Sequence, residues 1–336
     1  KKVGFLDFAF PCASHSRYCH SLGAMSFASK IFKRVISEDL LDRHDWHRWH
    51  QCVRLAALLH DIGHPPLSHT TEMLMPNIMQ LNPLCTRTEQ ATHEDYSERL
   101  IVSSELSDII RQNFGDMGVN PLMIASLLGG DNQEEYFVDK GINYTPILRQ
   151  IISSEIDCDR MDYLLRDSLF CGVNYGKFDS DWLIENLVNV PVQGEVYLGF
   201  KARAVFAFED FLLSRYHMFA SVYLHHTPVI MEKMLARFFK ECPESFSLPA
   251  DLDEYVALND VDLWYALRQS KNPWAQRIVR RKPYIMLYEH ISRADKEGAR
   301  TINSDDITTL FNDSAIPFMS SRSRSVLSKY YNKNTC

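Results

Sequence analysis

The chain has 336 residues, 46% hydrophobic and 24% charged, with a formal net charge of −7. That profile excludes disorder and fibrous repeats, and the length leaves ample chain for a sizeable core. The mild acidity argues against a protein whose main task is coating nucleic acid, and no apolar run approaches the ~18 residues of a membrane span.

In chain order the predicted elements are mostly helices. Residues 17–37 carry Leu22, Met25, Ile31, Phe32, Val35 and Ile36 at three- and four-residue spacings, an amphipathic pattern. Residues 46–61 begin polar and become almost wholly apolar from Val53 to Leu59, as in a helix entering a core. Gly63, Pro65 and Pro66 must end it. Further helices are predicted over 67–79, 93–102, 104–114, 120–128, 146–155, 158–170 and 180–188, with the longest, central one over about 202–240. A β signal falls at Gly194–Phe200. Beyond 241 the pattern loosens into helices near 258–270 and 274–281, then mixed segments with weak strand signals. The expected fold class is mostly α to a soft boundary near residue 240, with a smaller α+β C-terminal region over 241–336.

No secretory h-region follows Lys1 and no initiator Met begins the chain, so native residues upstream are expected. The eight cysteines form no CxxC pair and read as reduced thiols of a cytoplasm-like compartment. The sequons at Asn143 and Asn312 then read as chance matches.

Nine of the 13 histidines lie in residues 1–93, which asks for a chemical explanation. The central stretch is Leu58-Leu59-His60-Asp61-Ile62-Gly63-His64-Pro65-Pro66-Leu67-Ser68-His69. Adjacent residues on a helix point about 100° apart, so His60 and Asp61 can converge on one ion only at a helix end. An imidazole and a carboxylate suit Mn, Fe, Ni or Zn, but a solvated helix terminus carries the same pair. Upstream, the stretch from Ser14 to Gly23 offers His20 at a helix start. Downstream, Asp159, Tyr163 and Asp167 form an i, i+4, i+8 stripe on a helix otherwise walled by Met161, Leu164, Leu165 and Leu169, which favours a lined cavity.

His20, His60-Asp61 and Asp159 resemble the H…HD…D metal signature of the HD-domain phosphohydrolases. The longer motifs FPCASHSRYCHSLG, LLHDIGHPPLSH, THE at 92–94 and IDCDRMDYLLRDS are similar to the branch of deoxynucleoside triphosphate (dNTP) triphosphohydrolases. That branch holds bacterial dNTPases and the eukaryotic SAM- and HD-domain enzyme, and the resemblance covers about residues 2–240. It implies one divalent ion (Mn, Fe, Ni, Zn or Mg) on His20, His60, Asp61 and Asp159. It places His64, His69 and His93 beside the scissile phosphate, one of them as general acid, with Glu72 where an Asp usually orients the catalytic histidine. It assigns Arg17, Arg160 and Arg215 to phosphates, Tyr163 and Asp167 to the sugar and its 3′-hydroxyl, and Tyr223 to the 2′ side. The implied reaction converts dNTP and water to deoxynucleoside and inorganic triphosphate, in a dimer or tetramer without a membrane. Nucleic acid is not expected as a partner.

Lys2, Val3 and Leu224 stand where the family has Gln, Leu and Gln, which bears on sugar and base choice and leaves the metal chemistry intact. Another nucleotidase or a phosphodiesterase on a cyclic or signalling nucleotide would use the same metal set. A sensor or nucleic-acid-binding protein with a vestigial site would not need all four metal positions and three neighbouring histidines. His15 is expected behind the site. His44, His47 and His50, beside Trp46 and Trp49, read as a solvated helix face. Arg277, Arg280, Arg281 and Lys282 read as a basic face, and Ser320–Ser325 as a surface segment.

Overall fold

A computed structural model describes residues 3–129 and 135–287, together with residues 309 and 312. Lys2, the weak strand signals beyond 287 and Ser320–Ser325 lie outside the described residues.

The helices are α1 (Arg17–Val35), α2 (Arg43–Leu59), α3 (Ile78–Leu81), α4 (His93–Ser103), α5 (Glu105–Phe114), α6 (Pro121–Leu127), α7 (Thr145–Ile152) and α8 (Cys158–Cys171). They continue with α9 (Ser180–Glu185), α10 (Val205–Met218), α11 (His226–Glu241), α12 (Leu252–Ala257), α13 (Asp260–Gln269) and α14 (Pro273–Val279). Local chemistry sets their ends. Ser16, Asp42 and Asp157 cap α1, α2 and α8 by accepting from backbone N–H groups of the first turn. Thr92 and Asp95 form a capping box at α4. Gly172, at φ +69°, closes α8.

The small sheet has the order β1 (Val138–Asp139), β2 (Ile142–Asn143), β4 (Glu195–Phe200), β3 (Leu187–Val192). Both hairpins turn through two residues with positive φ, Lys140-Gly141 and Gln193-Gly194, which suits the right-handed twist of the flanking strands. β2 and β4 run parallel. All four strands come from residues 138–200, and the elements of residues 241–287 are helices joined by loops.

Helix α1 packs on both α2 and α8, which brings His20 beside the end of α2 and the start of α8. Ile31, Phe32, Trp49, Val53, Met161 and Leu164 are buried in this principal core. A second apolar cluster straddles residue 240, joining Phe5 and Leu67 to Met231, Leu235 and Phe238 of α11, Leu263 and Leu267 of α13 and Ile278 of α14.

Three sequence expectations need correction. The helix over 202–240 is interrupted: α10 passes into a π-helical turn at Phe219–Tyr223, and His225 is extended before α11 begins. The helix over 67–79 is a 3₁₀ segment at Ser68–Leu74 followed by α3, because Pro76 cannot continue it. The helix over 180–188 stops at Glu185, and the alternating Leu187–Val192 becomes β3.

Candidate metal centre and active site

His20 stands one turn into α1, His60 and Asp61 at the end of α2, and Asp159 in the first turn of α8. Their donor atoms converge. His20 Nε2 lies 2.9 Å from Asp159 Oδ1 and 3.5 Å from Asp61 Oδ2. His60 Nε2 lies 3.4 Å from Asp61 Oδ1 and 3.6 Å from Asp159 Oδ1. Adjacent donors around an ion at ~2.1 Å are ~3.0 Å apart in octahedral and ~3.4 Å apart in tetrahedral geometry, so His20, His60 and Asp61, whose donors all lie within 4.8 Å of one another, could hold one first-row ion, with Asp159 beside the two histidines.

The orientation of the rings supports the same conclusion. His60 Nδ1 donates to the Ala57 carbonyl at 2.8 Å and His20 Nδ1 to Asp162 Oδ2 at 2.7 Å, so both rings turn Nε2 into the cluster. His60 Nε2 is buried without a hydrogen-bond partner among the described residues, a cost that a metal bond removes.

Asp162 had no role in the sequence reading. It is buried, and Arg166 grips both its oxygens at 2.8 Å. Gly23 makes room for the pair, since a Cβ there would come within 1.8 Å of Asp162 Oδ1. The signal was present: an Asp–Arg i, i+4 pair, a glycine one turn after His20, and a ligand histidine that needs an acceptor at its other nitrogen. The expected apolar wall of α8 is incomplete, because Leu169 is exposed.

Beside the metal cluster, His64, His69 and His93 surround Glu72. Glu72 Oε1 lies 2.6 Å from His93 Nδ1, 3.0 Å from His69 Nδ1 and 3.4 Å from His64 Nδ1. Burial works to raise the Glu72 carboxyl, but the hydrogen bonds from His69 and His93 outweigh it and hold the group ionised. His64, with 2% of its side chain exposed, is lowered to about 3 by burial and is therefore neutral at pH 7. These four residues also place donors within 4.8 Å of one another. The His64 and His93 rings, however, are stacked near-parallel at 3.8 Å, so an ion in the plane of one lies outside the plane of the other. The arrangement suits proton sharing through Glu72 better than a second ion.

The residues expected at substrate all carry internal partners. Arg17 bonds Asp61 Oδ2 and Ser68 Oγ. Arg160 is buried and bonds Asp157 and the Ser154 carbonyl, at the N-terminus of α8. Arg215 Nη1 donates to Glu155 at 3.0 Å and its guanidinium lies over Phe219. Asp167, 2% exposed, accepts from His15 Nε2 and from the Tyr223 hydroxyl, each at 2.7 Å. Tyr163 meets Tyr223 edge to face, and burial raises its phenol, with smaller contributions from the charges of Asp159, Arg160 and Arg215.

Other histidines fall elsewhere. His44 and His47 are exposed, as expected of a solvated face, but His50 is half-buried, stacked on Phe32 and hydrogen-bonded to Ser29. His225 packs on Phe10 and accepts from the Thr227 N–H.

The HD domain model matches residues 17–167 and the HD-associated region model residues 178–310. A solved hypothetical protein from Aquifex aeolicus is 32% identical with a TM-score of 0.65, over 84% of this chain and 67% of its own. The chain belongs to the HD-domain phosphohydrolase family. An uncharacterized protein of Methanocaldococcus jannaschii is 31% identical to this HD-domain protein over 91% of the chain and 57% of its own length. A Dictyostelium discoideum protein named as a deoxynucleoside triphosphate triphosphohydrolase, SAMHD1 homolog, is 27% identical over 81% of this chain and 49% of its own. The chain spans about half the length of the curated relatives it matches. None of its described helices is long and apolar enough to cross a membrane.

Proposed function

We propose that this HD-domain protein is a metal-dependent hydrolase that cleaves dNTPs to deoxynucleoside and inorganic triphosphate. The observation that carries the reading is the joining of an ion-sized His20/His60/Asp61/Asp159 cluster to a histidine group sharing one carboxylate. The dNTP assignment draws on the extended motifs and on the name of the Dictyostelium relative.

His20, His60, Asp61 and Asp159 would hold one divalent ion, whose chemistry is Lewis acidity toward a phosphoryl oxygen and a water. His64, neutral and packed against Asp61, holds the edge of the ligand set. His69 and His93 point Nδ1 at Glu72, which leaves Nε2 of each to protonate the departing O5′ as the Pα–O5′ bond breaks. Such proton transfer contributes ~10²–10⁴-fold. Arg17, Arg160 and Arg215 exchange their acidic partners for triphosphate oxygens. Tyr163, Tyr223 and Asp167 form the sugar edge, where an aromatic ring against C2′ leaves no room for a ribose hydroxyl. Exposed Val205, Phe206 and Leu213 on α10 support a homo-oligomer.

A second reading, hydrolysis of a less charged cyclic or signalling nucleotide, is favoured by the paired state of the three arginines, which such a substrate need not disrupt. Chromatography of products from metal-loaded protein with dNTPs, NTPs and cyclic nucleotides separates the two. Inorganic triphosphate is expected. Monophosphate with pyrophosphate, or no dNTP turnover with any metal, overturns the assignment.

A further inference from the structure

The turn that carries His60, Asp61 and His64 is not held by its own helix alone. On one side α4 approaches it closely: Gly63 N–H donates to Ser97 Oγ at 3.0 Å, and Ser97 Oγ donates to the His60 carbonyl at 2.7 Å. A Cβ at Gly63 would lie 2.3 Å from the His93 carbonyl oxygen, so the contact tolerates no side chain.

On the other side stand residues nearly two hundred positions away. The Tyr255 hydroxyl of α12 donates to the Gly63 carbonyl at 2.6 Å. The Leu67 N–H donates to Oδ1 of Asp260, the first residue of α13, at 2.9 Å. Tyr255 is 5% exposed and its ring stacks on Tyr96 of α4 at 4.1 Å, while the Tyr96 hydroxyl donates to the Pro249 carbonyl. Burial in this stack raises the Tyr255 phenol, with smaller contributions from Tyr96, Glu72 and Arg17.

Between these anchors the backbone is strained. Leu67 and Ser68 have φ of +58° and +63°, left-handed values that non-glycine residues adopt only when their surroundings impose them. Leu67 is buried in the apolar cluster built by α11, α13 and α14, and Ser68 Oγ accepts from Arg17. Strain of this kind is released when an anchor is lost.

We propose that Tyr255 and Asp260 are positioning residues, through which α12 and α13 hold residues 60–68 in the conformation that presents His60, Asp61 and His64. The HD-associated region is then part of the active site rather than an appendage. The functional side of this inference rests on the proposed hydrolase reading.

Tyr255→Phe keeps the stack on Tyr96 and removes only the hydroxyl; Asp260→Asn weakens the other anchor. In the full chain, each is expected to raise hydrogen exchange of the amides in 60–68 about five- to ten-fold, the equilibrium value of one hydrogen bond, with α1 and α8 at wild-type protection. Zn(II) affinity, read by chelator competition, falls several-fold, and kcat falls while KM holds. Wild-type exchange at 60–68 in both variants, or a rise spread evenly over α1, α2 and α8, overturns the proposal. If the wild-type protein turns over no nucleotide, exchange and Zn(II) affinity decide the positioning role alone, and only the hydrolase reading falls.

Discussion

On the metal side of the site, His20 and His60 have Nδ1 bonded to protein acceptors and Nε2 turned toward Asp61 and Asp159. On the substrate side, Arg160 and Arg215 are paired with Asp157 and Glu155, and Asp167 accepts from His15 and Tyr223. The first half leaves His60 Nε2 without a hydrogen-bond partner among the described residues, although Arg17 holds Asp61, and it could take an ion. The second half is satisfied from within and, on the proposed function, exchanges partners when a substrate enters. A site can thus be preorganised for its cofactor and self-complementary toward its substrate, and the two halves should respond differently to mutation.

The largest effect is expected on the metal side. His60→Ala removes a ligand, and elemental analysis should find no tightly bound metal, with hydrolysis at background. Retained metal and activity would refute the ligand set. Next, Asp162→Ala removes the acceptor that orients His20, and metal affinity should fall ~10–100-fold, measured by chelator competition. Gly23→Ala forces a methyl against the same carboxylate, at a cost of roughly 1–3 kcal/mol in denaturant unfolding.

On the substrate side the expected signature is opposite. Glu155→Gln removes the buried acid that pairs the half-buried Arg215, so the free protein should melt lower. Substrate phosphates then meet an unclaimed guanidinium, and KM should fall a few-fold at unchanged kcat. A rise in KM would show that Glu155 helps substrate binding and would erase the contrast between the halves.

The smallest effect is expected at His50, which serves neither half. Burial lowers it to about 4, from an ordinary value of 6.5. The folded state then binds fewer protons than the unfolded chain between these values. Stability contributed by the neutral ring is present above pH 6.5 and is lost as pH falls toward 4. His50→Gln should flatten the pH dependence of unfolding between pH 7.5 and 5.

Much of this was legible in the chain. The helix read over 158–170 matches α8, and the strand read at Gly194–Phe200 matches β4. The Gly63/Pro65/Pro66 break beside His60-Asp61 marked the helix end where adjacent ligands can converge. The break in the long central helix was harder to read, because Phe219–Tyr223 is as apolar as the helix before it. Pro228, tolerated only in a first helical turn, was the local clue that a new helix begins. β1 and β2 have two residues each and carry no period at all.

Histidine excess near one end, with carboxylates at helix ends, was a property of the sequence, because ligand chemistry is written in residue types. Whether each histidine meets an ion, a carboxylate or an aromatic ring was decided by packing. α1, α2 and α8 bring His20, His60 and Asp159 together across nearly 140 positions, and the same packing leaves His44 and His47 in solvent. The net charge of −7 shows the same division. Composition counts every acid and base alike, whereas the tertiary structure pairs Asp157, Glu155 and Asp61 with Arg160, Arg215 and Arg17 inside one site. Local fields there depend on distance and burial, and neither is readable from a count.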